Sequence, residues 1–279
     1  MKQAAVSYRY DGTFDGLMCC VFESYSAREI PVEILGPGVG EDNLFGVKRI
    51  PTEEARAARV LRSIPAQMGA EAYDLVRLAF LTCLPGKELA ILSFLRQGYR
   101  YGARIMGFAG NKDVHRLTEA VKHLRQEAHL LKGFLRFSVH RGVLVSVIAP
   151  KNIVLPFLSR HFSDRYPEER FLIYDEHHRM ALVYRPYESA VIPMDDFRAA
   201  PPDAEEQAFR SCWKAFYDAV EIRPRHNEKC RQTFMPKRYW KYMTEFREPG
   251  DGLIRRSTAF RLRSTAPGAG KKSSDPHGW

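Results

Sequence analysis

The feature that most constrains the fold is a change of apolar period near Lys132. Upstream of it the apolar residues recur at helical spacing. One stripe holds Tyr73, Val76, Phe80 and Leu84, and a second holds Leu89, Leu92, Leu95 and Tyr99. A third runs through Val114, Leu117, Val121, Leu124, Ala128 and Leu131. Pro51-Thr52-Glu53-Glu54 opens the helical region with negative charge in a first turn, and Pro85-Gly86 interrupts it. From Lys132 onward the period becomes two. Gly133–Val139 and Val143–Ile148 flank His140-Arg141-Gly142, and Arg170–Tyr174 and Met180–Tyr184 flank Asp175–Arg179. Both are hairpin patterns. A short helix is predicted over Asn152–Phe162 and a further strand over Ser189–Pro193.

The N-terminus opens as a strand, Val6–Tyr10, then an Asp11-Gly12 turn and a helix carrying Phe14, Leu17, Met18, Val21, Phe22 and Tyr25. Asp11, Thr13 and Asp15 offer caps for that helix. These patterns predict an α+β fold. A largely antiparallel sheet, built from the N-terminal strand and the central hairpins, packs with helices. A mostly helical segment is inserted between that strand and the hairpins. The expected organisation is one α+β domain over residues 1–246, with 50–130 as a semi-separate helical lobe, followed by a basic flexible tail over 247–279. Ala199-Ala200-Pro201-Pro202-Asp203 reads as a linker, with Asp203 capping an amphipathic helix marked by Phe209, Cys212, Trp213, Phe216 and Val220. Gly36-Pro37-Gly38-Val39-Gly40 is glycine-rich, but acidic Glu41-Asp42 follows it and no Lys-Ser/Thr does, so it is a loop and a poor phosphate cradle.

Charge is distributed unevenly. The net charge is +10. Residues 223–279 carry 14 Lys/Arg against 5 Asp/Glu, while residues 1–222 carry 29 against 28. A neutral body with a basic C-terminal fifth suits a polyanionic partner, because each neutralised phosphate releases condensed counterions. A solvated basic tail is the plainer alternative. No apolar run approaches the roughly 20 residues that span a bilayer, and no secretory leader is evident. The five cysteines are odd in number and form no CxxC pair, so a disulfide framework, a zinc ribbon and an iron–sulfur triplet are all poorly supported. A cytoplasmic location fits, with no membrane partner and no cofactor implied by any motif.

The most distinctive stretch runs from Arg223 to Phe246. With Pro236 in a first turn, a helix would place Lys237, Arg238, Lys241 and Glu245 on one side and Tyr239, Trp240, Met243 and Phe246 on the other. It would dock by its aromatic face and present cations, a composition suited to phosphate contact and base stacking. An ordinary amphipathic helix with a solvated side is the competing reading. The candidate nucleic-acid contacts are Arg223, Arg225, Lys229, Arg231, Lys237, Arg238 and Lys241, with Lys132, Arg136 and Arg141 of the first hairpin as a second patch. His123, Glu127 and His129 share one helix, and Asp175, Glu176, His177 and His178 share one turn; Glu127, His129, Asp175 and His178 are the catalytic candidates of the enzyme alternative. Neither matches a metal-ligand spacing, so no metal site is expected, and a solvated helix pair and a polar turn account for them. Cys19-Cys20 lies among apolar helical residues and reads as packing.

Several blocks carry a family likeness. Tyr10-Asp11-Gly12-Thr13-Phe14-Asp15-Gly16-Leu17 with Val21-Phe22-Glu23 forms the first, and Glu127–Phe137 the second. His161–Tyr166 with Leu172–Asp175 forms the third, and Met235–Phe246 the fourth. Together they span about residues 5–246. The chain resembles a family of bacterial domains of unknown function labelled DNA metabolism or repair proteins. The resemblance implies a gene paired with a radical-SAM protein and, in some relatives, fusion to a uracil-DNA-glycosylase-like domain. The stretch after Phe246 is too short for such a domain, and the radical-SAM cysteine triplet is missing, so that chemistry is expected from a partner. The family supplies no catalytic residues. The reading that follows is a DNA-binding accessory protein of a repair or modification system, acting with a radical-SAM partner and without catalysis of its own. Two rivals stand beside it: a DNA-acting enzyme such as a nuclease or base-removal enzyme, and an adaptor that positions the radical-SAM protein without touching DNA.

Overall fold

The computed structural model describes residues 6–38, 46–108, 110–197 and 201–247. Strand β1 (Val6–Arg9) leads through a tight turn into α1 (Phe14–Ser26), as the sequence predicts. Thr13 is the cap, its hydroxyl accepting the Gly16 N–H at 3.0 Å. Asp11 holds the turn by accepting from the Thr13 N–H at 2.9 Å and the Thr52 hydroxyl at 2.8 Å.

The expected place of β1 in the hairpin sheet is not what the fold shows. β1 is the centre of a separate three-stranded parallel sheet, between β2 (Glu33–Leu35) and β3 (Gly46–Arg49). A strand that feeds a helix returns most simply as a parallel neighbour, and α1 makes that crossover. Strands of three and four residues are too short to show a period, so they escaped the sequence reading.

The helical stripes then fold as predicted. α2 (Glu54–Met68) buries Ala57, Val60, Ile64 and Met68, and α3 (Ala70–Phe80) buries Leu75, Val76 and Ala79. α4 (Lys87–Tyr101) buries Ile91, Leu92 and Leu95. It approaches α2 so closely at Gly98 that an added Cβ would meet the Met68 sulfur at 2.0 Å. A 3-10 turn, Gly102–Gly107, leads to α5 (Lys112–Phe134), which Asn111 caps. At 23 residues α5 is about 35 Å long. It packs on α3 and α4 at one end and on α6 at the other, so a continuous apolar core joins the helical part to the second sheet.

That sheet has five strands in the order β4 (Ser138–His140), β5 (Val143–Ile148), β6 (Phe171–Asp175), β7 (Met180–Arg185), β8 (Glu188–Pro193). All pairs are antiparallel except β5–β6, which α6 (Leu155–Arg165) connects as a parallel crossover. The fold is therefore α+β with a mostly antiparallel sheet packed by helices. Arg141 and Gly142 both have positive φ, 51° and 76°, giving the two-residue turn that joins β4 to β5. Phe171, Ile173 and Leu182 face the main core, while Val145, Val147, Tyr174 and Ala181 form a small cluster on the other face under Phe197 and Tyr242.

Two predicted boundaries shift. Gly133 and Phe134 end α5 rather than open a strand, because Leu135 continues the stripe of Leu131 and its N–H bonds the Leu131 carbonyl at 3.0 Å. Phe134, Arg136 and Ser138 therefore do not share a strand face. The C-terminal helix is also shorter than expected. α7 (Ala204–Ala219), a 3-10 turn (Arg223–Arg225) and α8 (Glu228–Phe234) precede it; α9 itself covers only Lys237–Trp240, and a last 3-10 turn covers Thr244–Phe246. Residues 199–200 of the expected linker and 248–279 of the expected tail lie outside the described residues.

Candidate nucleic-acid interface

α7 is the element that builds the site, and it docks in an unexpected sense. Its capping is as predicted: the Asp203 carboxylate accepts the Glu206 N–H at 2.9 Å. Its only buried residues, however, are Glu206 and Arg210. They pair with each other at 2.8 Å, and the other Glu206 oxygen accepts the Val139 N–H at 3.0 Å. Arg210 also donates to the Ser138 hydroxyl at 2.7 Å. Edge strand β4 thus finds polar partners along its outer side, which shields an edge that would otherwise stand open. A buried ion pair with its hydrogen bonds satisfied fixes this orientation. The consequence is geometric. The apolar stripe at Phe209, Trp213, Phe216 and Val220 points outward, each residue at least 40% exposed.

Between α7, the end of α5 and the end of α6 lies a cleft of about 530 Å³. Lys132, Arg136, Arg165 and Arg210 line it against a single carboxylate, Glu206, and Phe209 and Trp213 form one wall. A neighbouring cleft of about 780 Å³ shares Lys132 and adds Arg77, Arg160 and His161, with Asp164 its one carboxylate. The two form a cationic track over one side of α5 and α6. Arg77 and Arg160 are paired only with largely exposed partners, Asp74 at 3.3 Å and Asp164 at 3.7 Å. Such pairs are worth little and yield readily to a phosphate. Burial, then Lys132 and Arg165, push the His161 pKa below its ordinary value, consistent with a positive local field.

The C-terminal segment closes this site from behind. Glu245 is buried and takes Arg136 in a two-pronged pair at 2.8 and 3.3 Å, while accepting the Trp213 indole N–H at 3.2 Å. Arg136 also donates to the Gly133 and Leu135 carbonyls at the end of α5, the usual place for a cation at a helix C-terminus. The expected aromatic docking face is present in part: Tyr239 and Met243 are buried, and Trp240 stacks on Phe246 at 4.5 Å. The helix breaks after Trp240, and the break turns Glu245 inward rather than along the cationic side.

The predicted phosphate contacts separate into groups. Lys132 and Arg136 line the cleft. Arg238 pairs with buried Glu127 at 3.1 Å, Lys241 lies 3.7 Å from Glu176, and Lys237 lies 3.7 Å from Glu228. Arg231 sits over the Trp240 ring at 4.8 Å. Arg225 and Lys229 are exposed, and Arg141 occupies the hairpin turn. Arg223 starts a 3-10 turn, and its side chain lies outside the described residues. The sequence reading missed Arg165, Arg210 and the Glu245 anchor. Arg165 falls within the His161–Tyr166 block, the one signal that pointed near it.

Two of the four catalytic candidates, Glu127 and Asp175, already have hydrogen-bond partners for their carboxylates. Glu127 accepts the N–H groups of Lys151 at 3.1 Å and Asn152 at 2.9 Å, plus the Asn152 side chain at 2.6 Å. Asp175 accepts the His177 and His178 N–H groups at 3.0 and 3.1 Å and faces His178 Nδ1 at 2.7 Å. His129 is exposed on α5. None of the four lines the cleft, and among the described residues no group of three His, Cys, Asp or Glu is arranged to hold a metal ion. Cys19 and Cys20 are buried in α1, where burial pushes the Cys20 thiol up to about 12. No described helix is long and apolar enough to cross a membrane.

Comparison with curated proteins returns no match. A family model does match, over residues 85–245, which takes in α4 through Glu245 and therefore every element around the cleft. With more than half its length inside that match, the chain belongs to the family described as Domain of unknown function DUF4130.

Proposed function

We propose that the protein binds nucleic acid through the cleft between α5, α6 and α7, as a DNA-binding accessory protein of a cytoplasmic repair or modification system that works with a radical-SAM protein. One observation carries the nucleic-acid part. Lys132 and Arg165 stand exposed at the mouth of the cleft, and neither has a carboxylate partner among the described residues. Two such cations beside exposed aromatic rings suit a polyanion with stacked or stackable bases. Of the C-terminal cations first expected to lead, Arg238 is committed to buried Glu127, while Lys237 and Lys241 meet only exposed carboxylates and Arg225 and Lys229 are exposed, so these four remain a second candidate phosphate surface outside the cleft. The radical-SAM partnership rests on the sequence resemblance alone.

The test is fluorescence anisotropy with labelled DNA across a salt series, comparing the native chain with a Lys132→Ala, Arg165→Ala variant. Affinity should fall steeply with salt, and the variant should bind more weakly with a log–log slope shallower by about 2. Salt-independent binding, or none, overturns the reading. The adaptor alternative has one specific observation in its favour, the outward apolar stripe of α7, because exposed patches of that kind mark contact surfaces. It takes over if no nucleic acid binds, and a pull-down with the radical-SAM protein then tests it. The enzyme alternative gains nothing from Glu127 and Asp175, whose oxygens are already occupied.

A further inference from the structure

We infer that the occupant of this site is a single strand rather than a duplex, with the outward face of α7 serving as a base-stacking platform; this rests on the nucleic-acid reading above. Phe209, Trp213 and Phe216 lie at i, i+4 and i+7, one face of one helix. Phe209 is 65% exposed and Phe216 57%. The Trp213 and Phe216 rings are neighbours, 5.8 Å apart with a 32° tilt.

Trp213 is also held in place. Its indole N–H is tied to Glu245, and the Arg136 guanidinium lies 5.9 Å from its ring. A fixed ring loses little freedom when a base stacks on it, which is what preorganisation contributes to binding. The cations sit beside the rings: Lys132, Arg136 and Arg165 line the same cleft as Phe209 and Trp213. Phosphates can therefore follow the cleft while bases turn onto α7. A duplex offers phosphates but keeps its base faces stacked internally, so it would use the cations and leave the rings in water. A free strand uses both, which is the pairing of features seen in single-strand binders.

The experiment measures binding of four probes of equal length: an oligothymidylate, a duplex, an abasic strand and an oligouridylate. The native chain should bind the oligothymidylate at least about tenfold more tightly than the duplex or the abasic strand, since only the oligothymidylate offers free bases to stack on the rings. A Phe209→Ala, Phe216→Ala variant should lose about tenfold or more on the oligothymidylate and nothing on the abasic strand. The Phe209→Tyr, Phe216→Tyr variant should recover the loss, which excludes misfolding as its cause. The oligouridylate arm distinguishes RNA from DNA as the source of the strand. Equal binding of duplex and single strand, with the alanine variant unchanged, overturns the stacking inference and leaves the nucleic-acid reading intact. No binding of any probe by the native chain overturns both, and assigns the stripe to a protein partner.

Discussion

α5 and α7 carry apolar stripes of the same period, yet they meet the rest of the molecule by opposite faces. α5 buries Val114, Leu117, Val121, Leu124 and Leu131 in the main core, and its charged residues other than buried Glu127 are partly or fully exposed. α7 buries Glu206 and Arg210 and leaves Phe209 and Phe216 more than half exposed, with Trp213 40% exposed beside them. Periodicity alone does not tell which face of a helix is inside. What decides it is the surface the helix meets: α5 meets apolar side chains of other helices, whereas α7 meets the unpaired edge of β4, which needs acceptors and donors.

The comparison can be broken most sharply at Glu206. Glu206→Ala leaves Arg210 buried without its partner and the Val139 N–H without its acceptor, and should cost about 3–5 kcal/mol, read by denaturant unfolding. Proteolysis before α7 should also become faster. A change within about 0.5 kcal/mol would mean that α7 is held some other way. The α5 counterpart, Leu124→Ala, should cost about 2–5 kcal/mol through the cavity it leaves, with protection of α7 unchanged.

A smaller difference concerns pH. The seam of α7 includes His140, whose pKa lies below its ordinary value because burial outweighs the opposing pull of Glu206 and Asp203, with Arg210 adding to the depression. The folded state therefore binds fewer protons than the unfolded chain just below pH 6.5, so stability should fall as pH drops through that window. His140→Gln should flatten the slope there. Loss of stability from carboxylates such as Asp11 and Glu29, whose pKa values are lowered, belongs to the more acidic range below their ordinary 3.8 and 4.5. The smallest effect is expected at Phe216→Ser. It removes an exposed ring and should change stability by no more than about 0.5 kcal/mol, whereas an apolar-to-Ser change at Leu124 would be severe.

The sequence made much of the fold legible. The helical stripes, the Asp203 and Thr13 caps, the Arg141-Gly142 turn and the switch of period were all readable locally, because each depends on residues within a few positions of one another. What escaped depended on distance in the chain. The parallel pairing of β1 needed strands of three and four residues to be seen as strands. The end of α5 was ambiguous because Phe134-Leu135-Arg136-Phe137 satisfies two periods at once. The inward turn of Glu245 could not be read from its own neighbours, since its partners are Arg136 and Trp213. The site was legible only at Lys132 and Arg136; Arg165, Arg210 and the aromatic wall were brought there by the third dimension.

The Glu245–Arg136 contact joins residues 109 positions apart. During synthesis at about 5–20 residues per second, Arg136 emerges from the ribosome roughly 5–20 s before the carboxylate that orients it. Through that interval Arg136 lacks its anchor, Trp213 is added only 32 positions before Glu245, and the wall of the cleft is not yet set. On the proposed function, a nascent chain passes the RNA-rich surface of the ribosome with Lys132 and Arg136 present and the aromatic wall of the cleft still unset. The wall of the cleft is completed by one of the last described side chains, Glu245, rather than by the first basic one.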